Sequence, residues 1–384
     1  MTEKRGTMKK KLGILTFHHV TNYGAVLQCY ALQTYLQRQG FETEVINYKP
    51  RKQEDTLYNF FRFRKFKDLA SYCLTRKREQ QLRKFRAERL AVSPVTLRTM
   101  AEVQRYVDRF DIIVSGSDQV LNPSSLLYSE AYGGKGSVCP VYFLGFSFTG
   151  RKYGYALSFG VTQYPEPQLS IARKYIRSFD KLSVRENTGV NIVETMGRND
   201  AIVVPDPTFL QESSFYHELA DAAGGAHKGA YTYSFFIRDV KATRSKMEEL
   251  RMEKTVLWNN DDGEYSLEGW LNKIRNAAFV ITDSFHCMVM CLKLHTPFAV
   301  ITKLAGKNGM NDRFYTILEK LGMEERIIYQ EDMQLLVALM DSPNAIDWET
   351  LDGILAQYAQ EGISFLNESS TPDHKKDEQA MFGQ

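Results

Sequence analysis

The 384-residue chain has few cysteines, and the five that it has are scattered along the sequence. No pair forms a C-x-x-C motif, and no group of cysteine, histidine or acidic residues has the spacing of a metal site. These absences argue against a disulfide framework and a zinc-binding fold, so we expect reduced thiols in a reducing compartment. Cys287 and Cys291 are four residues apart on a predicted helix, a pattern that favours small buried side chains.

Long apolar runs are also missing. No stretch approaches the roughly 18 apolar residues needed to cross a bilayer. The charged N-terminus is followed by an apolar run that His18 and His19 interrupt, which differs from a secretory signal. A formal net charge of +3 is too small to indicate nucleic acid by itself. We therefore expect a cytoplasmic protein that does not bind nucleic acid.

The first clear pattern is a βαβ unit. An apolar strand is predicted over residues 12–17 and a helix over 26–39, which Gly40 ends, and a second strand is predicted over 42–48. A strand, a helix and a strand within so few residues predict the start of a parallel sheet. The unit lacks a G-x-G-x-x-G sequence, so the dinucleotide-binding fingerprint is absent.

Predicted strands and helices continue to alternate along the chain. This alternation predicts an α/β fold with two Rossmann-like, doubly wound domains facing a cleft. Further strands are predicted over residues 110–115, 153–159, 181–184, 201–204, 230–237, 255–258, 279–282 and 297–301. Further helices are predicted over residues 266–276 and 313–321. The predicted parts are a flexible N-terminus (1–11), an N-terminal domain (12–205), a C-terminal domain (206–345), a C-terminal helix (346–368) and a disordered tail (369–384). Pro205-Asp206-Pro207 is interpreted as the domain junction, because it can continue neither a sheet nor a helix.

Residues 49–90 form a basic insert in the first domain. They contain fourteen Lys and Arg against five acidic residues, interleaved with five aromatic residues between Tyr58 and Phe66. One interpretation is a helical segment with a solvated charged face. The other is a surface that contacts an anionic membrane or an anionic lipid-linked substrate.

Polar clusters follow several predicted strands, at the edge where open α/β sheets bind ligands. The first strand leads to Asn22 and Gly24, where glycine permits close approach of a ligand and the next helix offers free N–H groups. The strand at 110–115 leads to Ser117, Asp118 and Gln119, with Asn122 just beyond. These polar groups are too many for one helix cap, and they indicate a binding site.

Two further clusters carry charge or a titratable group. Arg185 follows the strand at 181–184 and can bind a carboxylate or a phosphate in a two-pronged contact, or pair with Glu186 at the surface. Asp283, Ser284 and His286 follow the strand at 279–282, where a histidine beside a hydroxyl is a candidate acid or base. A later glycine-bearing loop concentrates cationic and amide side chains that would complete an anion site: Lys303, Lys307, Asn308, Asn311 and Arg313.

These segments together resemble the polysaccharide pyruvyltransferase family. The matching pieces, in family order, are GILTFHHVTNYGAVLQCYALQTYL, FDIIVSGSDQVLNP, YALSFG, SVREN, VVPDPTFL, ITDSFHCM and GKNGMNDRF. Cys287 stands where the family usually has glycine, and Leu121 where an aromatic residue is common. The resemblance implies a GT-B-like fold and an enzyme that forms a cyclic pyruvate ketal on a sugar from phosphoenolpyruvate, releasing phosphate. No cofactor or metal is formally required for that reaction.

The resemblance also suggests roles for the residues. His286 and Arg185 match residues that the family uses. His286 is expected to be the proton donor or the acid on the phosphate side, and Arg185 the clamp on the donor's phosphate or carboxylate. Around phosphoenolpyruvate we expect donor-binding contributions from Ser284, Lys303, Lys307, Arg313, Asn22 and Gly24. From their chemistry, Ser117, Asp118, Gln119 and Asn122 are assigned to the hydroxyls of the acceptor, with Asp118 as a candidate base.

Two other functions remain open from the sequence. A GT-B glycosyltransferase would use a sugar nucleotide, and Asp261, Asp262 and Glu264 would be its candidates for binding the ribose. A catalytically silent member of the family would bind a glycan or a partner protein. The acceptor of a pyruvyltransferase is expected to belong to a surface or capsular polysaccharide precursor. The basic insert favours a lipid-diphosphate-linked oligosaccharide and a peripheral location at the inner face of the cell membrane.

Overall fold

The computed structural model describes most of the chain. The residues that it describes are 9–50, 67–126, 139–223, 231–238, 240–249, 256–259, 261–304, 306–307, 310–341 and 346–370. The aromatic residues Tyr58 to Phe66 of the basic insert lie outside these ranges, as does the tail after residue 370.

The N-terminal domain is built on a six-stranded parallel sheet. Its strands are β1 (Lys11–Leu15), β2 (Glu42–Val45), β3 (Ile112–Ser115), β4 (Arg151–Leu157), β5 (Lys181–Val184) and β6 (Ile202–Val203). They are arranged in the order β2-β1-β3-β4-β5-β6. All four residues of β3 are buried, as expected for the continuous apolar run of a central parallel strand.

The C-terminal domain repeats this plan with five parallel strands. They are β7 (Thr232–Phe235), β8 (Val256–Trp258), β9 (Phe279–Thr282), β10 (Phe298–Thr302) and β11 (Ile327–Tyr329). Their order is β11-β10-β9-β7-β8. In both sheets the first strand therefore lies between the second and the third. This order places a topological switch point beside the first strand of each domain.

Helices cover the faces of both sheets. In the N-terminal half they are α1 (Tyr23–Arg38), α2 (Lys67–Arg89), α3 (Met100–Val107), α4 (Pro123–Leu126), α5 (Gln168–Tyr175) and α6 (Asn187–Thr195). In the C-terminal half they are α7 (Ser213–Asp221), α8 (Val240–Glu249), α9 (Leu267–Asn276), α10 (Phe285–Lys293), α11 (Asp312–Leu321), α12 (Gln334–Asp341) and α13 (Trp348–Ser370). None of the helices in the described ranges is long and apolar enough to cross a membrane.

Helix α1 joins the two domains. Its residues Tyr23, Val26 and Leu27 belong to the same core cluster as Trp270 of the C-terminal domain. The Tyr23 ring stacks on Trp270 with the ring centroids 5.2 Å apart, and the Tyr23 hydroxyl donates to the backbone carbonyl of Tyr265 at 2.7 Å. This apolar contact fixes the N-terminus of α1 against the second domain.

Helix α13 returns the chain to the first domain. Leu355 packs in the core cluster shared with the C-terminal domain, whereas Phe365 and Leu366 pack in a cluster with β1 and β3. Two parallel α/β domains with a returning C-terminal helix form the GT-B-like fold, so the predicted fold class is confirmed.

The basic insert contributes helix α2, which also packs between the domains. Leu82 and Phe85 are buried in the core cluster that contains α1 and Trp270. Arg86 is buried and bonded to Glu79, and the second carboxylate oxygen of Glu79 accepts from Thr21 at 2.9 Å. One face of α2 is therefore part of the protein core, and the other carries exposed cations such as Arg83 and Lys84.

Candidate active site

A cavity of about 260 Å³ lies between the two switch points. It is lined by the segments that follow β1, β3, β7 and β9, with one residue from α11. The lining residues are Phe17, Val20, Thr21, Asn22, Asp118, Gln119, Ile237, Arg238, Asp283, Ser284, Phe285, His286 and Arg313. We call this the first cavity. Its position between the carboxyl ends of two parallel sheets is where α/β folds bind ligands.

Two helix N-termini meet at the first cavity, one from each domain. Asn22 caps α1 by accepting from the Ala25 N–H at 3.2 Å. Ser284 caps α10 by accepting from the Cys287 N–H at 3.4 Å. Free N–H groups and the positive ends of both helix dipoles therefore face the same space. This arrangement favours an anionic ligand.

Asp206 is the centre of a buried polar network behind the cavity. Its Oδ2 accepts from the Ser117 hydroxyl at 2.8 Å and from Arg185 Nη1 at 3.2 Å. The same oxygen lies 3.5 Å from His286 Nε2, which is longer than a normal hydrogen bond. Its other oxygen accepts from the Thr208 N–H and hydroxyl. One fully buried carboxylate thus connects the predicted histidine and arginine.

The charges of this network support one another. Burial alone would raise the pKa of the Asp206 carboxyl, but its electrostatic interactions with His286 and Arg185 and the hydrogen bond from the Thr208 N–H hold it well below its usual range. Burial would likewise lower the pKa of Arg185, yet the carboxylates of Glu186, Asp206 and Asp118 raise it. Asp206 and Arg185 therefore remain a buried ion pair at neutral pH.

Arg185 lies behind the wall of the first cavity. Only 1% of its surface is exposed, and its Nε lies 3.3 Å from Glu186 Oε2. Its guanidinium also sits 4.6 Å from the centroid of the Phe285 ring. Nη2 is buried and has no hydrogen-bond partner among the described residues. In this conformation Arg185 pairs with Asp206 and packs against Phe285 at the start of α10. Its Nη2 remains available as a donor.

The cations that do line the cavity are Arg238 and Arg313. Arg238 follows β7, and both Asp283 oxygens accept from backbone N–H groups, those of Ile237 and Arg238, at 2.7 and 2.9 Å. Burial, together with the positive charges of Arg185 and Arg238, lowers the pKa of Arg313 to about 9. Arg238 and Arg313 thus bring two positive charges to the first cavity, which the carboxylates of Asp118 and Asp283 also line.

Gly24 lies directly against the ring of His286. A methyl group added at Gly24 would overlap Nδ1, Cγ and Cβ of that histidine. The requirement for glycine at this position is therefore steric. Gly24 sets the position of the catalytic candidate from the opposite domain.

We predict that Gly24→Ala lowers the free energy of unfolding by about 1–3 kcal/mol and displaces His286, because the added methyl overpacks the contact between the domains. Gly353→Ala is the matched control, since Gly353 also lies in a helix but has open space around it. Alanine there should be neutral or stabilising by up to about 1 kcal/mol. Urea unfolding of both variants tests this, and equal stabilities would contradict the steric account.

The residues predicted to bind the acceptor have different positions. Asp118 and Gln119 line the first cavity, and Asp118 adopts a left-handed φ of 76°, a strained conformation that is frequent at functional sites. Ser117 is fully buried and donates to Asp206. Asn122 accepts from the Ser124 N–H and donates to the Phe159 carbonyl, so its side chain is occupied in the local structure.

The two predicted lysines lie outside the first cavity. Lys303 follows β10 and is not among the residues that line the first cavity. Lys307 is half exposed and pairs with Glu319 at 2.8 Å. In the part of the chain that the structure describes, no group of three or more His, Cys, Asp and Glu side chains has the arrangement of a metal site.

The predicted site residues do not include Asp206 and Arg238. The two prolines around Asp206 indicate a domain junction. For that reason the sequence does not draw attention to Asp206 as a polar residue that follows strand β6. Arg238 follows the predicted strand at 230–237, and its place at a strand end was a signal that could have found it. Cys287 is fully buried in the core cluster of α10.

The sequence comparison identifies the family. The family described as polysaccharide pyruvyl transferase matches residues 22–302, which is well over half of the chain. The chain belongs to this family of transferases, as its motifs predicted. No curated protein matches the chain.

Solved structures to which the chain is similar include two UDP-GlcNAc 2-epimerases and a forosaminyltransferase. A UDP-GlcNAc 2-epimerase from Methanocaldococcus jannaschii, in complex with UDP-GlcNAc and UDP, is 10% identical, with a TM-score of 0.49 over 94% of this chain and 100% of that chain. A UDP-GlcNAc 2-epimerase from Neisseria meningitidis is 9% identical, with a TM-score of 0.47 over 94% and 100%. The spinosyn forosaminyltransferase SpnP is 9% identical, with a TM-score of 0.45 over 92% and 95%.

Proposed function

We propose that the protein transfers the enolpyruvyl group of phosphoenolpyruvate to two hydroxyls of a sugar, forming a pyruvate ketal and releasing phosphate. The observation that carries this proposal is the first cavity, where two helix N-termini and two guanidinium groups surround a histidine paired with a buried carboxylate. Family membership supports the transferase class.

The first cavity suits a small ligand with two anionic groups. Phosphoenolpyruvate carries a phosphate and a carboxylate, and both need charged donors in a site of low dielectric. We place them between Arg313, Arg238 and the N-termini of α1 and α10. Arg185, with its free Nη2, stabilises Asp206 behind the site and adds positive potential.

The proposed reaction balances with one acid and one base. A proton is added to the methylene carbon of phosphoenolpyruvate, which leaves an oxocarbenium-like centre at C2. The first sugar hydroxyl attacks C2 and loses its proton. The C2–O bond to phosphate then breaks, and the second hydroxyl attacks C2 and loses its proton in turn. One of the two hydroxyl protons restores the acid that protonated the methylene carbon, and the other leaves with phosphate.

His286 is the proposed proton donor. Its Nε2 faces Asp206, which orients the ring and leaves Nδ1 as the nitrogen that exchanges a proton with a ligand. Asp118, which lines the cavity opposite, is the proposed base for the sugar hydroxyl. A positioned acid or base of this kind contributes roughly 10²- to 10⁴-fold to a rate.

Ligand-induced stabilisation separates this proposal from its alternatives. At about 100 times its Kd, phosphoenolpyruvate should stabilise the folded protein by about 2.7 kcal/mol. A sugar-nucleotide glycosyltransferase would instead be stabilised by UDP or GDP and not by phosphoenolpyruvate. A catalytically silent glycan-binding protein would respond to none of the three. Thermal unfolding with each ligand therefore distinguishes the three functions.

We also propose that the enzyme works at the inner face of the cell membrane. Its support is helix α2, where Leu74 is 48% exposed and Arg76, Lys77, Arg83 and Lys84 are exposed on the same helix. Such a helix attracts anionic lipid surfaces. Sedimentation with anionic vesicles tests this, and binding that survives reversal of these four charges would contradict it.

A further inference from the structure

Arg313 occupies an unfavourable position for a cation. Its Nε is buried and has no hydrogen-bond partner among the residues that the structure describes. Burial and the charges of Arg185 and Arg238 oppose its positive form and lower its pKa, and the carboxylates of Glu186 and Asp118 offset this only in part. An arginine that is to meet a ligand in such a place needs its backbone to be held by other contacts.

The residue before Arg313 provides such a contact. The Oδ2 of Asp312 accepts from the backbone N–H of Thr188 at 2.7 Å. Thr188 lies in the first turn of α6 in the N-terminal domain, whereas Asp312 begins α11 in the C-terminal domain. Asp312 is only 3% exposed, so a charged acceptor forms this bond away from bulk water, where it is strong. The backbone beside Arg313 is therefore tied to the opposite domain.

Helix α6 lacks a side-chain cap of its own. Its N-cap residue is Glu186, whose side chain makes no cap hydrogen bond. The Glu186 carboxylate accepts instead from the Ser158 hydroxyl at 2.6 Å and from Arg185 Nε at 3.3 Å. The first N–H groups of a helix need acceptors from outside the helix. Asp312 supplies one across the domains, in the way that an N-cap residue ordinarily does within one helix.

The Asp312 carboxylate also lies at the N-terminus of its own helix. It is the first residue of α11, and the N-cap residue, Asn311, makes no side-chain cap bond there. The positive ends of α6 and α11 therefore approach the same carboxylate, one from each domain. Asn187 Nδ2 donates to the Thr316 hydroxyl at 3.4 Å and adds a second bond between the same two helices. Two hydrogen bonds thus hold the starts of these helices together.

We infer that Asp312 is a positioning residue for the donor: by capping α6 across the domains, it holds the start of α11 so that Arg313 faces the first cavity. This inference rests on the proposed function, because phosphoenolpyruvate is the anion that Arg313 is proposed to bind. Asp312 is not among the residues that line the first cavity, so it acts through Arg313. Without its bond, Arg313 is correctly placed in a smaller fraction of the molecules, and the affinity for the donor falls by that fraction.

Asp312→Ala should weaken the binding of phosphoenolpyruvate to the full-length protein about tenfold, because alanine cannot accept from the Thr188 N–H. Asp312→Asn keeps an acceptor oxygen at the same distance along the side chain and should bind within about twofold of the wild type. Titration calorimetry measures both affinities. Wild-type affinity in Asp312→Ala, or an equal loss in Asp312→Asn, would overturn the inference.

A double-mutant cycle shows whether Asp312 acts through Arg313. In the background of Arg313→Ala, the further change Asp312→Ala should weaken binding by less than about twofold, because the guanidinium that it positions is gone. The same loss in both backgrounds would mean that Asp312 acts elsewhere, which contradicts the inference.

Asp347→Ala is the matched control. Asp347 is exposed and caps its own helix, α13, by accepting from the Thr350 N–H at 3.1 Å. Its replacement removes a helix cap of the same kind that does not join the two domains. It should leave the affinity for phosphoenolpyruvate unchanged, and a loss equal to that of Asp312→Ala would contradict the role given to Asp312.

Amide hydrogen exchange tests the contact between α6 and α11 without any ligand. In Asp312→Ala the Thr188 amide should exchange at least about tenfold faster than in the wild type, whereas Asp312→Asn and Asp347→Ala should leave it unchanged. Unchanged exchange in Asp312→Ala would contradict the contact itself.

Urea unfolding shows whether each variant is folded. If Asp312→Ala does not fold, Asp312→Ser replaces it in every experiment, because its oxygen lies one bond closer to its own backbone and falls short of Thr188. If phosphoenolpyruvate fails to bind the wild type while exchange responds as expected, the proposed function fails with the role toward the donor, and the contact between the domains stands.

Discussion

Replacing His286 by glutamine should lower the rate of phosphate release from phosphoenolpyruvate at least about 100-fold, because the proposed proton donor is lost. Glutamine is close to histidine in size, so Gly24 and α10 should keep their positions. The free energy of unfolding should then change by less than about 1.5 kcal/mol. Phosphate release at saturating donor and acceptor, and urea unfolding of the same preparation, measure the two quantities.

His217→Gln is the control for this substitution. His217 lies half-buried on α7 and is not among the described residues that line the cavity. Its replacement should leave phosphate release within about twofold of the wild type, as is usual for sites away from the chemistry. A rate in His286→Gln equal to that in His217→Gln would exclude His286 as the acid.

Replacing Arg185 by alanine should lower the free energy of unfolding by about 3–5 kcal/mol, because it leaves the buried carboxylates of Asp206 and Glu186 without their cation. Loss of activity in this variant would therefore not by itself show that Arg185 contacts the donor. Arg185→Lys keeps a positive charge and should be the more stable of the two. It loses the two-pronged geometry and the contact with the Phe285 ring.

An exposed arginine provides the comparison. Arg244 is 48% exposed and pairs with Glu248 and Asp261 at 3.5 Å. Its replacement by alanine should cost at most about 1 kcal/mol, because exposed ion pairs contribute little. If Arg185→Ala and Arg244→Ala unfold at the same urea concentration, the buried network does not support the fold as described.

Much of the fold could be predicted because buried parallel strands are continuous apolar runs. The predicted strands at 279–282 and 181–184 have the observed bounds of β9 and β5. The prediction at 42–48 was too long, since β2 ends at Val45. Strand β11 (Ile327–Tyr329) is not among the predicted strands.

The site was less predictable, because the sequence places residues at strand ends but does not show which ends meet. The order of the strands brings His286 to Gly24 across the domains, and no spacing along the chain indicates that contact. Burial also determines whether a polar side chain can contact a ligand or only supports its neighbours. Arg185 and Ser117 have the same chemistry whether they face a ligand or hold Asp206, and only the packing shows that they hold Asp206.

The central claim is ketal formation from phosphoenolpyruvate, and mass spectrometry of the acceptor tests it most directly. The protein is incubated with phosphoenolpyruvate and a panel of simple glycosides and diphosphate-linked sugars, and phosphate is measured in parallel. The account predicts an acceptor heavier by one pyruvate minus one water, formed in equal amount with phosphate and absent with His286→Gln. Phosphate release without a heavier acceptor, or the same product from His286→Gln at the wild-type rate, would contradict it.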